Sequence, residues 1–302
     1  MTTREEGHAL LLGCGYVATR LAERLAEEGW HITATVRDEK AAATLCGRGC
    51  DVFLFDGTAP LPTEAWGGVT HVLDSIPPDE KGDPALRALG DDLCRAAPHL
   101  RWVGYLSTVG VYGDHGGEWV DEATPCRPVS VRGKRRLAAE RAWLALHGRC
   151  GLPVHVFRLP GIYGPGRNPL RKALEGTRKA LVVKEGQVFS RIHVDDLVAA
   201  LMLSMNAPRP GAIYNVVDDE PAPPHEVSLF AHELLGLEPP PLVPFEQAEL
   251  SPMARSFYGE SKRVSNARLK RELGWKPAYP TYREGLRALL PLEKPDAGRD
   301  RD

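Results

Sequence analysis

The stretch His8-Ala9-Leu10-Leu11-Leu12-Gly13-Cys14-Gly15-Tyr16-Val17-Ala18 decides the fold of this chain. Its first five residues are mostly apolar, as expected of a parallel strand that is covered on both faces. The Gly-x-Gly-x-x-Ala turn that follows lets backbone amides approach a pyrophosphate at the positive end of a helix. Apolar residues then recur at Val17, Leu21 and Leu25, and Gly29 ends this helical pattern. The stretch predicts the strand, turn and helix that open a Rossmann fold and hold a dinucleotide.

The composition is that of an ordinary globular protein, with 43% hydrophobic and 26% charged residues among 302. The chain has 38 Lys and Arg against 40 Asp and Glu, a net charge of -2, which gives no electrostatic reason to bind nucleic acid or an anionic membrane. No apolar run is long enough to span a bilayer, and the first residues lack the apolar core of a signal peptide. We therefore expect a cytoplasmic protein whose partner is a small molecule.

The six cysteines are scattered through the chain and show no Cys-x-x-Cys spacing. This pattern disfavours a zinc site and predicts reduced thiols, and we expect no bound metal. The cysteines are Cys14, Cys46, Cys50, Cys94, Cys126 and Cys150.

Apolar strand patterns alternate with helical patterns through the first half of the chain, which predicts an α/β fold with a doubly wound parallel sheet. After the first strand, strands are predicted at 30–36, 51–55, 69–73, 100–106 and 153–159, and helices at 39–47, 83–97 and 130–146. Beyond residue 158 the alternation of strand and helix patterns becomes less regular. We assign 1–157 to a nucleotide-binding Rossmann domain, 158–290 to a mixed region that returns strands to the sheet and forms a smaller α/β substrate lobe, and 291–302 to a flexible tail.

Residues that follow the strands are the candidates for cofactor binding, because ligands of open parallel sheets lie beyond the carboxyl ends of the strands. Arg37 follows the second strand, where a guanidinium pairs with the 2′-phosphate of NADP. Alternatively, Arg37 is a solvated turn residue and Asp38 caps the next helix. Asp56 follows the third strand, at a position suited to the adenine, and Ser75 precedes a rigid proline pair. We predict NADP as the preferred cofactor, with NAD as the alternative, and the candidate residues are Gly13, Gly15, Tyr16, Val17, Arg37, Asp56 and Ser75.

The strand predicted at 100–106 delivers a hydroxyl pair, Ser107 and Thr108, to the same edge of the sheet. Reactive groups of parallel sheets lie at this edge, so the pair is well placed for chemistry. A plain polar turn is the alternative interpretation.

Five segments occur in an order that resembles the extended short-chain dehydrogenase/reductases, the group of nucleotide-sugar epimerases and dehydratases. They are Gly13-x-Gly15-x-x-Ala18, Ser107-x-x-x-Val111-Tyr112-Gly113, residues 158–165, His193-Val194-x-Asp196-Leu197, and Tyr214-Asn215-Val216 followed by Asp219-Glu220-Pro221. The match covers about 9–290, and more narrowly it is similar to the atypical YeeZ-like branch. The resemblance implies a Rossmann fold, a pyridine nucleotide cofactor and a homodimer formed through the helices that flank the Ser107 strand.

In that family a Ser or Thr, a Tyr and a Lys act together, with the Tyr of a Tyr-x-x-x-Lys motif exchanging the proton while hydride moves. The resemblance implies that Ser107 contacts a carbonyl and that Lys134 holds the nicotinamide ribose. The motif here reads Ser130-Val131-Arg132-Gly133-Lys134, so a serine replaces the phenol. Tyr112 and Tyr163 are phenols that could take its place, and the alternative is that both form an aromatic wall.

Two positions that serve the substrate diphosphate in the family also differ, because Gly161 replaces an Asn and Phe189 replaces an Arg. Such charge-assisted anchors are each worth about 1.5 to 3 kcal/mol, and their loss disfavours a nucleotide-sugar substrate. Arg191 and His193 remain as polar candidates, with His193 more simply read as a packed residue at a helix start. Asp83 falls near the family's catalytic Asn, but a helix N-cap explains it equally well.

Two functions stay open from the sequence. The first is an NADP-dependent oxidoreductase or epimerase for a small polar carbonyl or hydroxyl compound, with a non-standard proton donor. The second is a non-catalytic NADP(H)-binding sensor or scaffold, suggested by Ser130 in place of the tyrosine. We favour the enzyme because Ser107, Tyr112 and Lys134 together have little use in a scaffold. The candidate catalytic residues are Ser107, Ser130, Lys134 and Tyr112.

Overall fold

The computed structural model describes residues 7–293, apart from the side chain of Met253. The strands are β1 (His8–Leu12), β2 (His31–Val36), β3 (Asp51–Leu54), β4 (His71–Asp74), β5 (Trp102–Thr108), β6 (Trp119–Val120), β7 (Val154–Leu159), β8 (Gly161–Tyr163), β9 (Leu181–Val183), β10 (Arg191–His193), β11 (Ile213–Asn215), β12 (Leu242–Pro244) and β13 (Arg263–Val264). The helices are α1 (Tyr16–Glu27), α2 (Glu39–Cys46), α3 (Pro84–Ala96), α4 (Val131–Cys150), α5 (Pro169–Leu174), α6 (Val194–Asn206), α7 (Pro224–Leu235), α8 (Pro252–Phe257), α9 (Ala267–Leu273) and α10 (Tyr282–Glu293).

Seven parallel strands form the central sheet, in the order β11-β7-β5-β4-β1-β2-β3. In β1 every residue is buried, which confirms the prediction from its apolar run. Leu11 of β1 is in register with Ala34 of β2 on one side and with Leu73 of β4 on the other. The Rossmann-type fold predicted from the sequence is confirmed.

One face of this sheet packs against α3 and α4. Leu89 and Leu93 of α3 are fully buried there, and each such burial contributes about 1.5–3 kcal/mol. Trp143 of α4 stacks on Tyr105 of β5, with ring centroids 5.8 Å apart. The helices that cover this face therefore hold the carboxyl ends of β4 and β5 in place.

The chain forms two compact units that are interleaved along the sequence. The first comprises the chain up to Val111, Val131–Arg158 and Val198–Tyr214, and the second comprises Tyr112–Ser130, Leu159–Leu197 and the chain from Asn215. The second unit contains three small parallel sheets, β8 with β10, β9 with β12, and β6 with β13. Its apolar cluster includes Leu170 of α5, Val227 of α7 and Leu286 of α10.

Several predicted boundaries differ from the structure. Helix α4 runs to Cys150 rather than ending at 146, and β5 extends through Thr108, so the hydroxyl pair lies within the strand. Helix α6 begins at Val194, directly after His193. Asp195 N donates to His193 Nδ1 at 3.2 Å, which fits the expected role of His193 at a helix start. Helix α10 continues through Pro291 to Glu293, and the predicted tail beyond it lies outside the described residues.

A disulfide joins Cys94 near the end of α3 to Cys150 at the end of α4, with the Cα atoms 5.6 Å apart. The prediction of reduced thiols is wrong for this pair. The two residues are separated by 56 positions and come together only because α3 and α4 pack side by side. Within 7–293, no helix is long and apolar enough to cross a membrane.

Candidate functional site

The glycine turn after β1 has the geometry that its sequence predicts. Gly13 has φ +76°, and a Cβ there would lie 2.7 Å from Ile76 Cγ1, so only glycine fits without displacement. The turn is held against β2, because Gly13 N donates to Thr35 Oγ1 at 2.9 Å and Cys14 N donates to Thr35 O at 2.8 Å. Gly15 is the N-cap of α1, and the space where its side chain would be is open.

The start of α1 provides donors beside that open space. Tyr16 and Val17 are its first two residues, and the backbone amides in the first turn of a helix point out of its N-terminus. The positive end of the helix dipole adds to their attraction for an anion. The backbone amides at this helix start and the open space beside Gly15 fit the chemistry of a pyrophosphate.

Ser75 lies against this turn and holds it. Its hydroxyl donates to Gly13 O, and to Leu12 O at 3.4 Å. The structure therefore brings Ser75 to the predicted nucleotide turn, where its hydroxyl fixes the shape of the loop.

Arg37 and Asp56 follow β2 and β3 at the same edge of the sheet. Arg37 is exposed, while Asp38 caps α2 by accepting a hydrogen bond from Ala41 N at 2.9 Å. Asp56 accepts from Thr58 N at 2.9 Å and from Thr58 Oγ1 at 2.6 Å, and these bonds lower the pKa of its carboxyl. The cap interpretation of Asp38 is confirmed.

Ser107 does not present a free hydroxyl at the end of β5. Its side chain is buried, and its Oγ donates to Glu140 Oε1 of α4 at 2.5 Å. Glu140 is in turn held by Arg158 of β7, with Nη2 to Oε2 at 2.9 Å and Nε to Oε1 at 3.1 Å. This buried network was not foreseen from the sequence, because its three members come from separate elements. It engages the hydroxyl that we had predicted to be catalytic.

Thr108 is the other hydroxyl of the pair, and it differs from Ser107 in exposure. Successive residues of a strand point to opposite faces, so Thr108 points away from Glu140. It is half-buried, and its Oγ1 accepts from Gly110 N at 3.1 Å while its own proton stays available to donate. At the carboxyl end of β5, Thr108 is therefore the better placed of the two hydroxyls for contact with a ligand.

Arg136, rather than Lys134, lies at the carboxyl ends of β4 and β5. Arg136 Nη1 donates to Leu106 O at 2.7 Å, to Tyr105 Oη at 3.3 Å and to Ile76 O at 3.5 Å. Lys134 is exposed. On α4 the sheet-facing positions recur about every 3.6 residues, which includes Arg136 and leaves Lys134 about 160° away. The helical periodicity was the signal that could have identified Arg136.

Tyr112 and Tyr163 lie inside the second unit. Tyr112 is completely buried, and its hydroxyl donates to Asn215 Oδ1 at 2.8 Å. Burial raises the pKa of Tyr163, whose ring packs edge-on against His193 with centroids 5.3 Å apart. Both arrangements match the aromatic wall that was the alternative to a proton donor. Ser130, also in this unit, is half-buried just before α4.

Arg191, the other substrate-side candidate, is held by backbone carbonyls of the second unit. Its Nη1 donates to Phe189 O at 2.8 Å and to Ala222 O at 3.1 Å. Gly161 is exposed and Phe189 is half-buried. Neither residue type carries a charge, so neither can replace the diphosphate anchors expected from the family. Within 7–293, no three His, Cys, Asp or Glu side chains are arranged to hold a metal ion.

Comparison with known proteins agrees with this architecture. The NAD dependent epimerase/dehydratase family matches residues 87–217. The chain is 30% identical to Protein YeeZ of Escherichia coli K12 over 300 residues, covering 94% of this chain and 98% of that protein. A solved structure of a functionally unknown conserved protein from Silicibacter pomeroyi DSS is 50% identical, with TM-score 0.87 and coverage of 94% and 98%.

A dTDP-glucose 4,6-dehydratase from Bacillus anthracis, solved in complex with NAD, is 20% identical and has TM-score 0.75, with coverage of 95% and 96%. At that identity the likeness concerns the fold. The chain belongs to the NAD-dependent epimerase/dehydratase family of extended short-chain dehydrogenase/reductases. Its match to YeeZ over nearly the full length of both chains confirms the predicted YeeZ-like branch.

Proposed function

We propose that this protein is an oxidoreductase or epimerase that binds a pyridine nucleotide, with NADP preferred, and acts on a small polar carbonyl or hydroxyl compound. The observation that carries the proposal is the turn at Gly13 and Gly15, which is shaped by Ser75 and leaves open space at the start of α1. The amides of Tyr16 and Val17 would bind the pyrophosphate there. When bound, the nicotinamide supplies a hydride donor or acceptor.

The preference for NADP rests on Arg37. Because Asp38 is engaged as the cap of α2, the exposed guanidinium is the charged group left to meet a 2′-phosphate at the end of β2. Asp56 would face the adenine, as predicted from its place after β3.

In this proposal, residues at the carboxyl ends of β4 and β5 form the part of the site where the reaction takes place. We infer that Thr108 takes the role first assigned to Ser107, because Ser107 already donates to Glu140. Arg136 supplies the fixed positive charge that was expected from Lys134, and would hold the nicotinamide half of the cofactor. Ser130 stays a candidate for the proton exchange and would need a separate base, whereas Tyr112 is completely buried and donates to Asn215 Oδ1, which supports the aromatic wall instead.

Titration calorimetry with NADPH and NADH tests the cofactor assignment. We expect Arg37→Ala to weaken NADPH binding by about tenfold or more, the loss of one charge-assisted pair, with little change for NADH. An exposed arginine elsewhere, Arg95→Ala, is the matched control and should leave both affinities unchanged. Equal losses for the two nucleotides in Arg37→Ala would refute the 2′-phosphate assignment, and no uptake of either by the native protein would refute the function.

A screen of small carbonyl compounds with NADPH tests turnover. We expect Thr108→Val to lower the turnover number while cofactor affinity is kept, because only the reacting end is changed. Tight NADPH binding with no turnover on any compound would instead favour the sensor or scaffold.

A further inference from the structure

Two buried carboxyl groups meet at the end of β4. Asp74 is the last residue of that strand, in register with Leu12 of β1 and Tyr105 of β5, and it is completely buried. Asp83, the N-cap of α3, is also buried, and the two carboxyl groups are within hydrogen-bond contact of each other. Ser75, the residue after Asp74, donates to Gly13 O, so the pair lies next to the nucleotide turn.

Three of the four carboxyl oxygens have ordinary donors. Asp74 Oδ1 accepts from Ile76 N at 3.0 Å, Asp83 Oδ1 from Leu86 N at 3.0 Å, and Asp83 Oδ2 from Trp143 Nε1 at 3.2 Å. The fourth oxygen, Asp74 Oδ2, is buried and receives no N–H or O–H from the described part of the chain. An ionised carboxylate only accepts, so a contact between two carboxyl groups becomes a hydrogen bond when one of them carries a proton.

The groups around the two carboxyls favour a state in which the pair holds one proton and one negative charge. Burial raises the pKa of Asp74 well above its usual range, and the neighbouring Asp83 raises it further. Burial also raises the pKa of Asp83. The other groups that act on the pair are Arg136 of α4, whose positive charge opposes these shifts, and Tyr105 of β5, whose own pKa is raised by burial. One shared proton leaves one negative charge to balance the one guanidinium.

We propose that Asp74 and Asp83 share a single proton at neutral pH, and that this singly charged pair positions the Arg136 guanidinium at the carboxyl ends of β4 and β5. Both aspartates are thus positioning residues, which act on the ligand through Arg136. The part of the inference that concerns ligand binding rests on the proposed cofactor site, whereas the shared proton does not.

Infrared spectroscopy of the native protein detects the proton directly through the carbonyl stretch of a protonated carboxyl group. Because burial also raises the pKa of Asp218 well above its usual range, the native protein and Asp74→Asn are compared as a difference spectrum, in which we expect at neutral pH one carbonyl band that belongs to the native protein. In that variant the amide nitrogen donates to Asp83 from the place of Oδ2, so every hydrogen bond and the negative charge are kept. A difference spectrum without such a band would overturn the shared proton.

Calorimetry with NADPH tests the positioning. We expect Asp74→Asn to keep its affinity within about twofold, whereas the double variant Asp74→Asn, Asp83→Asn loses about tenfold or more because Arg136 has lost its counter-charge. Arg136→Met should lose as much as the double variant, and Arg135→Met, an exposed neighbour, should lose nothing. Equal losses in Asp74→Asn and the double variant would show that both carboxylates must be charged and would refute the proposal.

The outcomes also separate this inference from the proposed function. A native protein that shows the infrared band but binds no pyridine nucleotide would refute the function and leave the shared proton standing. Should the double variant fail to fold, the pH dependence of stability in Asp74→Asn decides. A raised pKa in the folded state means that the native protein loses stability relative to Asp74→Asn as pH rises from about 4. No such divergence would overturn the proposal.

Discussion

The central sheet has an amino edge, where its parallel strands begin, and a carboxyl edge, where they end. Buried titratable groups are accommodated in opposite ways at these two edges. At the amino edge, His8, His71 and His155 pack among aromatic rings, and His155 stacks on Trp102 with centroids 5.9 Å apart. At the carboxyl edge, carboxyl groups lie beside guanidinium groups, as Glu140 does with Arg158. The first edge removes charge by keeping imidazoles neutral, and the second retains charge by pairing it.

The same physical cause acts at both edges. Burial lowers the pKa of His71 and of His155 to about 4, because it disfavours the charged form of the imidazole. Burial raises the pKa of Asp74, because it disfavours the charged form of the carboxyl. The amino edge is therefore sensitive to acid, whereas at the carboxyl edge it is Asp74 that is sensitive to alkali. Three changes test this contrast.

The largest effect is expected from breaking the buried ion pair at the carboxyl edge. Glu140→Ala leaves Arg158 buried and unpaired, and also leaves Ser107 without its acceptor. We expect the free energy of unfolding to fall by about 3–5 kcal/mol, as measured by urea denaturation. The surface pair of Arg24 with Glu27 is the control, and Glu27→Ala should cost at most about 1 kcal/mol. Similar losses for the two variants would refute the contrast between buried and exposed pairs.

The amino edge is tested by the pH dependence of stability. The unfolded chain binds protons at histidine near pH 6.5, while folded His71 and His155 resist protonation to about pH 4. Their contribution is thus present above 6.5 and is lost as pH falls from 6.5 through about 4. We expect a loss on the order of 3 kcal/mol for each histidine across this window.

Denaturation measured from neutral to acid pH checks this slope. His71→Leu should make stability fall less steeply with decreasing pH, because one buried imidazole with a lowered pKa has been removed. The exposed His99 is the control, and His99→Asn should leave the slope as it is in the native protein. A native protein with no loss of stability between these pH values would refute the neutral-histidine interpretation.

The smallest effect is expected at Ser107, and it separates a structural from a catalytic hydroxyl. Ser107→Ala removes one hydrogen bond to a buried charged group and should lower the free energy of unfolding by about 1.5–3 kcal/mol. Thr108→Val, the adjacent hydroxyl, should change stability less, since its Oγ1 accepts a single bond from Gly110 N. Thermal unfolding of both variants measures the difference. A larger loss in Thr108→Val would reverse the assignment of the two hydroxyls.

Local signals explain what could be predicted from the sequence. The apolar run of β1, the glycine turn and α1 were foreseen because neighbouring residues determine them. The bounds of α7 follow from local signals of the same kind, since a proline opens the helix and Gly236, with φ +66°, follows its end. Asp83 was recognised as a cap for the same reason, because its partner Leu86 is three residues away.

The site could be predicted only in part. The residues of the nucleotide turn come from one continuous stretch, and Ser75, which directly follows a strand, donates to Gly13 O of that turn. Lys134 was chosen from motif spacing, whereas helical periodicity on α4 places Arg136 at the strand ends. The short strands of the second unit were also missed, because β6, β8 and β13 have two or three residues each and carry no periodic pattern.

The sequence by itself determined the Rossmann fold, the nucleotide turn and the family of this protein. Only the tertiary structure decided that Ser107 donates to Glu140, that Asp74 meets Asp83, and that Cys94 pairs with Cys150. The reason is that turns, caps and periodicity arise from residues within a few positions of one another. A buried hydrogen bond or ion pair instead requires separate strands and helices to be packed together, and no local pattern records which ones meet.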